Sequence, residues 1–208
     1  MYNPPVFRQA DPQLLREAIR SARLGSLITV AGSIPLVSHV PMLLDDAPGP
    51  HGTLRCHLAR ANPQVATLDG PALATFVLDD AYVHPGWYGT KGENGRVVPT
   101  WNYVAVHVRG DARTLDRAQT LATVEALTDR HERERDKPWH VADAPEDYVR
   151  MMLDAIVGVE LVVTSIEGKW KLGQDEPERD AHGVMEALER SASERERSVG
   201  ARMRSTRA

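Results

Sequence analysis

Four short segments of this chain carry more polar and aromatic side chains than a buried strand uses. The first is Ser38-His39-Val40-Pro41. The second is Cys56-His57-Leu58-Ala59-Arg60-Ala61-Asn62-Pro63. The third runs from Tyr82 through His84, Trp87, Tyr88 and Lys91 to Val98-Pro99-Thr100-Trp101-Asn102-Tyr103. The fourth is Gly168-Lys169-Trp170-Lys171-Leu172-Gly173-Gln174. Together they hold the parts needed to grip a flat, anionic, aromatic ligand. Trp and Tyr offer stacking faces with a hydrogen-bonding tip. Arg60 and Lys171 offer charge for a phosphate or carboxylate, and Asn62, Thr100, Asn102 and Gln174 offer directional hydrogen bonds. Each residue also has a plainer reading: Trp101, on a strand face, equally suits a core or an interface.

His57 carries three readings. It is a surface or hydrogen-bonded histidine, a hydrogen-bond donor to a flavin or its phosphate, or an axial ligand to haem iron, a role that neutral imidazole fills. No Cys-x-x-Cys-His occurs, so a haem would be held non-covalently. Other chemistries drop out. There is no Gly-x-Gly-x-x-Gly, no phosphate-cradling Gly-x-x-x-x-Gly-Lys-Ser/Thr loop and no Gly-x-Ser-x-Gly elbow. His131-Glu132 lacks the second histidine of a zinc signature, and no helix-turn-helix with a basic recognition helix is visible.

These segments need a scaffold, and the periodicity supplies one. Asp11-Pro12 reads as a capped helix start. Leu27–Ala31 and Leu36–Leu44 read as strands about a turn at Gly32-Ser33, with Pro41 making the second an edge strand or breaking it. Thr53–Leu58 alternates, setting Leu54, Cys56 and Leu58 against Arg55 and His57. Ala72–Leu78, Ala81–His84, Val97–Gly110 and Val157–Ile166 read as further strands, and the glycine-rich stretch from Gly86 to Gly95 as a mobile hairpin loop. Helices are expected from Asp116 to about Arg135, after an Asp143/Glu146 capping box, and around Val184–Leu188. Six or seven closely spaced strands with a few helices imply a mainly β, α+β domain, an antiparallel barrel flanked by helices.

The chain has 208 residues, 42% hydrophobic and 26% charged, which suits one large domain with an unstapled core. No apolar run approaches the roughly 20 residues of a membrane span, and no secretory leader pattern opens the chain. A single cysteine, Cys56, leads us to expect a reducing, cytoplasmic setting. The net charge of −4 argues against a dedicated nucleic-acid binder. Residues 189–208 differ: Arg190, Arg195, Arg197, Arg202, Arg204 and Arg207 stand against three glutamates. That stretch reads as a solvated, partly disordered or helical extension, or more sharply as a basic arm for nucleic acid or a partner.

The blocks His57-Leu58-Ala59-Arg60-Ala61-Asn62-Pro63 and Val98-Pro99-Thr100-Trp101-Asn102-Tyr103 resemble the PaiB family of FMN-binding negative transcriptional regulators, relatives of the pyridoxamine-phosphate-oxidase-like split barrels. Met1-Tyr2-Asn3-Pro4, His39-Val40-Pro41, Ala81 to Tyr88, Lys91 and Lys171-Leu172-Gly173-Gln174 extend the likeness over roughly residues 1–188. His84 and Gly173 depart from it, standing where the family usually has Ser. The resemblance implies a split β-barrel over 1–188, a homodimer with cofactor sites at the subunit interface, FMN, and repression of sporulation or protease genes. His57 with Arg60-Ala61-Asn62-Pro63 also looks like the motif of haem-dependent piperazate synthases, which would make His57 the axial ligand of a haem b. The expected cofactor set is therefore His57, Arg60, Asn62, Thr100, Trp101, Asn102, Tyr103, Lys171 and Gln174. FMN would stack near Trp101 or Tyr103, with its phosphate on Arg60 or Lys171. His39, Tyr88 and Lys91 are the expected substrate pocket. The alternatives are a haem- or flavin-dependent redox enzyme and a cofactor-free interaction scaffold. Duplex DNA as a partner has neither a basic face nor a DNA-reading motif behind it.

Overall fold

The computed structural model describes residues 1–47 and 49–207. In chain order the elements are β1 (Arg8–Gln9), α1 (Pro12–Ser21), β2 (Gly25–Ala31), β3 (Ile34–Val40), β4 (Leu43–Asp45), β5 (Thr53–Ala59), β6 (Gly70–Val83), α2 (Lys91–Asn94), β7 (Thr100–Thr114), α3 (Arg117–Glu132), α4 (Glu146–Asp154), β8 (Ile156–Lys171), α5 (Glu178–Glu189) and α6 (Glu194–Ser205). The strand order is β3-β2-β6-β7-β8-β5-β4, with β1 on β8. The β2–β3, β2–β6, β4–β5 and β5–β8 pairings are antiparallel.

Local chemistry explains the boundaries. The Asp11 carboxylate accepts from the Gln13 N–H at 2.8 Å, and Pro12 occupies the first helical position, where its missing donor costs nothing. Asp116 and Gln119 close a capping box at the start of α3. Gly32, at φ 62°, turns β2 into β3. Pro41 ends β3, which is an edge strand as expected.

Several expectations are corrected. Ala72–Leu78 and Ala81–His84 are one strand, because Asp79 and Asp80 do not break β6: they ion-pair with Arg202 (2.6 Å) and Arg195 (3.1 Å). β7 begins at Thr100 rather than Val97. β8 continues to Lys171, so Lys169 and Lys171 share a strand face. The Asp143/Glu146 capping box does not form; Asp143 instead accepts from the His140 N–H at 2.9 Å, and α4 starts behind Pro145. The buried side of α3 is Thr120, Thr123 and Leu127, where Arg55 of β5 donates to Thr123 Oγ1 at 3.2 Å. Residues 86–95 fold into a 3-10 turn (Pro85–Trp87) and the short α2.

The chain divides into two compact units. The first is Met1–Ala18, Val77–Val106 and Glu167–Ala208. Its core gathers Phe7, Val83, Val104, Val106, Trp170, Leu172, Val184, Leu188, Val199 and Met203. Gly183 of α5 lies against the Trp87 carbonyl, where any Cβ would collide, so this glycine seats α5 against the 85–87 turn. Residues 189–207 are the end of α5 and then α6, whose Val199, Gly200 and Met203 are buried. The second unit is Ile19–Phe76 and His107–Ile166, with Leu27, Phe76, Leu54, Cys56, Leu58, Val159, Leu161 and Leu127 inside. Here the side chain of Thr120 approaches Gly158 so closely that only glycine fits beneath α3. No helix among the described residues is long and apolar enough to cross a membrane.

Candidate functional site

The sequence-level site residues fall into two groups, one in each unit. Thr100, Trp101, Asn102, Tyr103, Lys171, Gln174, Tyr88 and Lys91 belong to the first; His39, His57, Arg60 and Asn62 belong to the second.

In the first unit the start of β7 and the end of β8 set two lysines among aromatic rings. Lys171 Nζ donates to Thr100 Oγ1 and to the Trp101 carbonyl, each at 2.8 Å, and lies 5.9 Å from the Phe7 ring centroid. Burial pushes this ammonium below the ordinary lysine range, while Asp175 and Glu176 pull it back. Lys169 is only 7% exposed. Its Nζ donates to the Tyr2 carbonyl at 3.1 Å and sits 5.4–5.9 Å from the rings of Tyr2, Phe7 and Tyr103. Among the described residues neither ammonium is in an ion pair; both are held by neutral oxygens and ring faces. The Trp101 indole is 53% exposed and meets Tyr82 edge-on at 6.0 Å, so it is not a core aromatic.

Beside Lys171 runs a narrow cleft walled by Tyr88, Asn102, Asp175, Glu176 and Met203. The Tyr88 phenol is pushed up to about 12 by burial and by the nearby carboxylates of Glu176, Asp175 and Asp180, so it stays protonated. Gln174 is architectural: its Oε1 accepts from Leu172 N–H at 2.8 Å and its Nε2 donates to the Trp170 carbonyl at 2.6 Å, shaping the turn after β8. His84 caps the 85–87 turn, accepting from Gly86 N–H at 2.9 Å. Lys91 opens α2 and is exposed.

The second unit spends its polar groups on structure. Arg60 donates from Nε to the Asp154 carbonyl at 2.6 Å and from a terminal nitrogen to the Ile156 carbonyl at 2.8 Å, clasping the entry to β8. Asn62 accepts from Gln64 N–H at 2.9 Å and donates to Ser38 Oγ at 2.8 Å. His39 shares a 2.9 Å hydrogen bond with Ser26. His57 is different. It is half-buried on β5 opposite Gly158, its Nδ1 is buried without a partner, and burial lowers its pKa, which keeps the imidazole neutral near pH 7.

Sequence reading missed Lys169, Gln64 and Glu176 as individual residues. Lys169 was findable, since i and i+2 on a strand share a face with Lys171. Gln64, 1% exposed, ties the turn after Pro63 to the Leu27 carbonyl at 3.0 Å, which no spacing rule signals.

Comparison with known proteins decides the family. Residues 1–165 match a family model described as "Putative FMN-binding domain". The protease synthase and sporulation protein PAI 2 of Bacillus subtilis is 27% identical over 91% of this chain and 89% of its own length. The chain belongs to the PaiB-type FMN-binding family. An uncharacterised protein of Aspergillus fumigatus is 33% identical, covering 93% of each chain. Among solved structures, this PaiB-type chain is similar to an FAD and haem binding protein from Mycobacterium smegmatis (TM-score 0.60, 16% identity, 79% of this chain and 73% of that one). It is also similar to the flavocytochrome Anf3 from Azotobacter vinelandii (TM-score 0.56, 16% identity, 79% and 69%). The fold is therefore the expected α+β split barrel of flavin-binding type, and FMN is the cofactor of the family. The donor set of the first unit fits that group. Two ammoniums engaged by neutral oxygens rather than in ion pairs suit a phosphate, and an exposed indole beside them suits a flat ring.

Proposed function

We propose that this PaiB-type protein holds FMN on the strand face formed by Trp101, Tyr103, Lys169 and Lys171. The observation that carries this reading is the pair of lysines, partly or deeply buried, whose ammoniums are held by neutral oxygens and ring faces rather than in an ion pair among the described residues. Lys171 and Lys169 would meet the phosphate, while Trp101 and Tyr103 would offer faces to the ring. Bound FMN supplies reversible electron or hydride acceptance; the chain's part is to bind, orient and shield it. Thr100 and the Trp101 carbonyl hold Lys171 in place for that task.

A homodimer is part of the proposal. Val30, Ile34 and Val37 lie exposed on the β2–β3 hairpin, an apolar edge that a second copy would cover. A regulatory role rests on the likeness to the Bacillus protein named for protease synthesis and sporulation. We infer that such a role would run through the flavin or a protein partner in the cytoplasm, because the arginines of α6 are already engaged within the chain.

The test is a pair of titrations with FMN and with riboflavin, followed by flavin fluorescence. FMN should bind about tenfold or more tightly than riboflavin, since only FMN carries the phosphate the lysines would meet. Equal affinities would remove the lysines from the site. One observation favours a second reading, haem at His57: the imidazole is neutral and half-buried. Against it, an iron-bound histidine normally donates through its other ring nitrogen, and Nδ1 has no partner here. A Soret band lost in His57→Ala would favour haem over FMN.

A further inference from the structure

The cleft beside Lys171 contains a buried acceptor that no group of the described residues serves. Asn102, at the start of β7, is only 2% exposed, yet its Oδ1 accepts from nothing. Its amide nitrogen donates to Met203 Sδ at 3.4 Å, a weak acceptor. A buried amide left in that condition is costly unless something else fills the role. The charges in the walls point the same way. Three carboxylates, Asp175, Glu176 and Asp180, stand there against two cations, Lys171 and Arg207, and both cations already donate elsewhere: Lys171 to Thr100 and the Trp101 carbonyl, Arg207 to the Gly173 carbonyl. The neighbouring Asp180 spends its carboxylate on the Thr90 N–H (2.8 Å) and hydroxyl (2.7 Å). Burial first, and then the nearby Asp175 and Asp180, push the Glu176 carboxyl above its ordinary range against the pull of Lys171 and Arg207.

Size then narrows the ligand. The free interior of the cleft is about that of one water molecule. A flavin ring or a phosphate is too large for it. A group of water size, positively charged and carrying several N–H donors, suits Asn102 Oδ1 and the two carboxylates, with the Lys171 ammonium turned onto Thr100 and the Trp101 carbonyl. The Tyr88 phenol, protonated at neutral pH, adds an aromatic ring to that wall.

We propose that this cleft binds the head of a primary alkylammonium ion, with an N–H donated to Asn102 Oδ1 and the charge held by Glu176 and Asp175. The site goes beyond the flavin reading and does not depend on it. The full-length protein is titrated calorimetrically with n-propylammonium chloride, and separately with tetramethylammonium chloride, which has the charge but no N–H. Saturable heat is expected from the first and none from the second. Glu176→Gln, a half-buried isosteric change, should weaken propylammonium binding by about tenfold or more. Asn102→Leu should do the same, and Glu176→Gln carries the test if the buried leucine disturbs folding. Absence of saturable heat from propylammonium would mean the cleft holds only water and would overturn the proposal. So would equal binding of tetramethylammonium, or full affinity in Glu176→Gln. FMN titration of the same samples reads the flavin site separately, so either proposal can fail alone.

Discussion

Two sets of cations in the first unit meet opposite fates. The arginines around α6 are many and spent. Arg202 pairs with Asp79, Arg195 with Asp80 and Arg204 with Glu189, while Arg197 donates to the Ser191 and Ala192 carbonyls and Arg207 to that of Gly173. The lysines at the end of β8 are two, and among the described residues neither is in an ion pair. Density of charge along the chain drew attention to the tail, yet a ligand responds to charge that is not yet compensated. The α6 arginines serve as fasteners; Lys169 and Lys171 keep their charge for something else.

The sharpest test of the fastener reading concerns what holds α6 down. Burial should outweigh the ion pairs, so Met203→Ala, which empties a site only 1% exposed, should cost about 2–4 kcal/mol in denaturant unfolding. A loss below that of any arginine variant would reverse the ranking. Next in size, Lys169→Met combined with Lys171→Met should weaken FMN by about tenfold or more and leave riboflavin unchanged. Equal losses for both ligands would mean that the lysines shape the fold rather than meet a phosphate. Raising salt should erode the FMN affinity of the wild type as well.

Smaller effects follow for the arginines. Arg202→Ala breaks a half-buried pair and should cost at most about 1 kcal/mol. Arg204→Ala, at a more exposed position, should cost less than Arg202→Ala, and high salt should shrink the difference. If duplex DNA bound this chain with an affinity that fell on removing α6, the arginines would not be spent and the comparison would break.

The smallest expected effect lies in the second unit. His57 has a folded pKa below its unfolded value of 6.5. The unfolded chain therefore takes up the proton first, and stability declines as pH falls through 6.5 toward the lowered folded value. The raised Glu176 works in the opposite direction, favouring the folded state at lower pH and losing that advantage as pH rises through its folded pKa. The melting temperature of wild type minus that of His57→Gln, followed from pH 8 to 5, isolates the histidine. A flat difference would show that its buried ring tolerates protonation.

Much of the scaffold could be read from residue order. The cap at Asp11, the break at Pro41 and the alternation of Leu54, Cys56 and Leu58 are local effects, and local effects leave local patterns. The site was less accessible. Arg60 and Asn62 have the chemistry of phosphate ligands, but the fold turns Arg60 onto two carbonyls nearly a hundred residues away and Asn62 onto Ser38. Gln174, expected at the cofactor, closes a turn. Asp79 and Asp80 looked like a strand break because the arginines that neutralise them lie more than a hundred positions further on.

By itself the sequence determined the family, the class of ligand and most element boundaries, because motif, alternation and capping depend on neighbours a few residues apart. Only the tertiary structure decided which charges stay unpaired. An ion pair needs its charges within about 4 Å, and whether a carboxylate comes that close to Lys169, Lys171 or Arg202 is settled by how distant stretches of chain pack together.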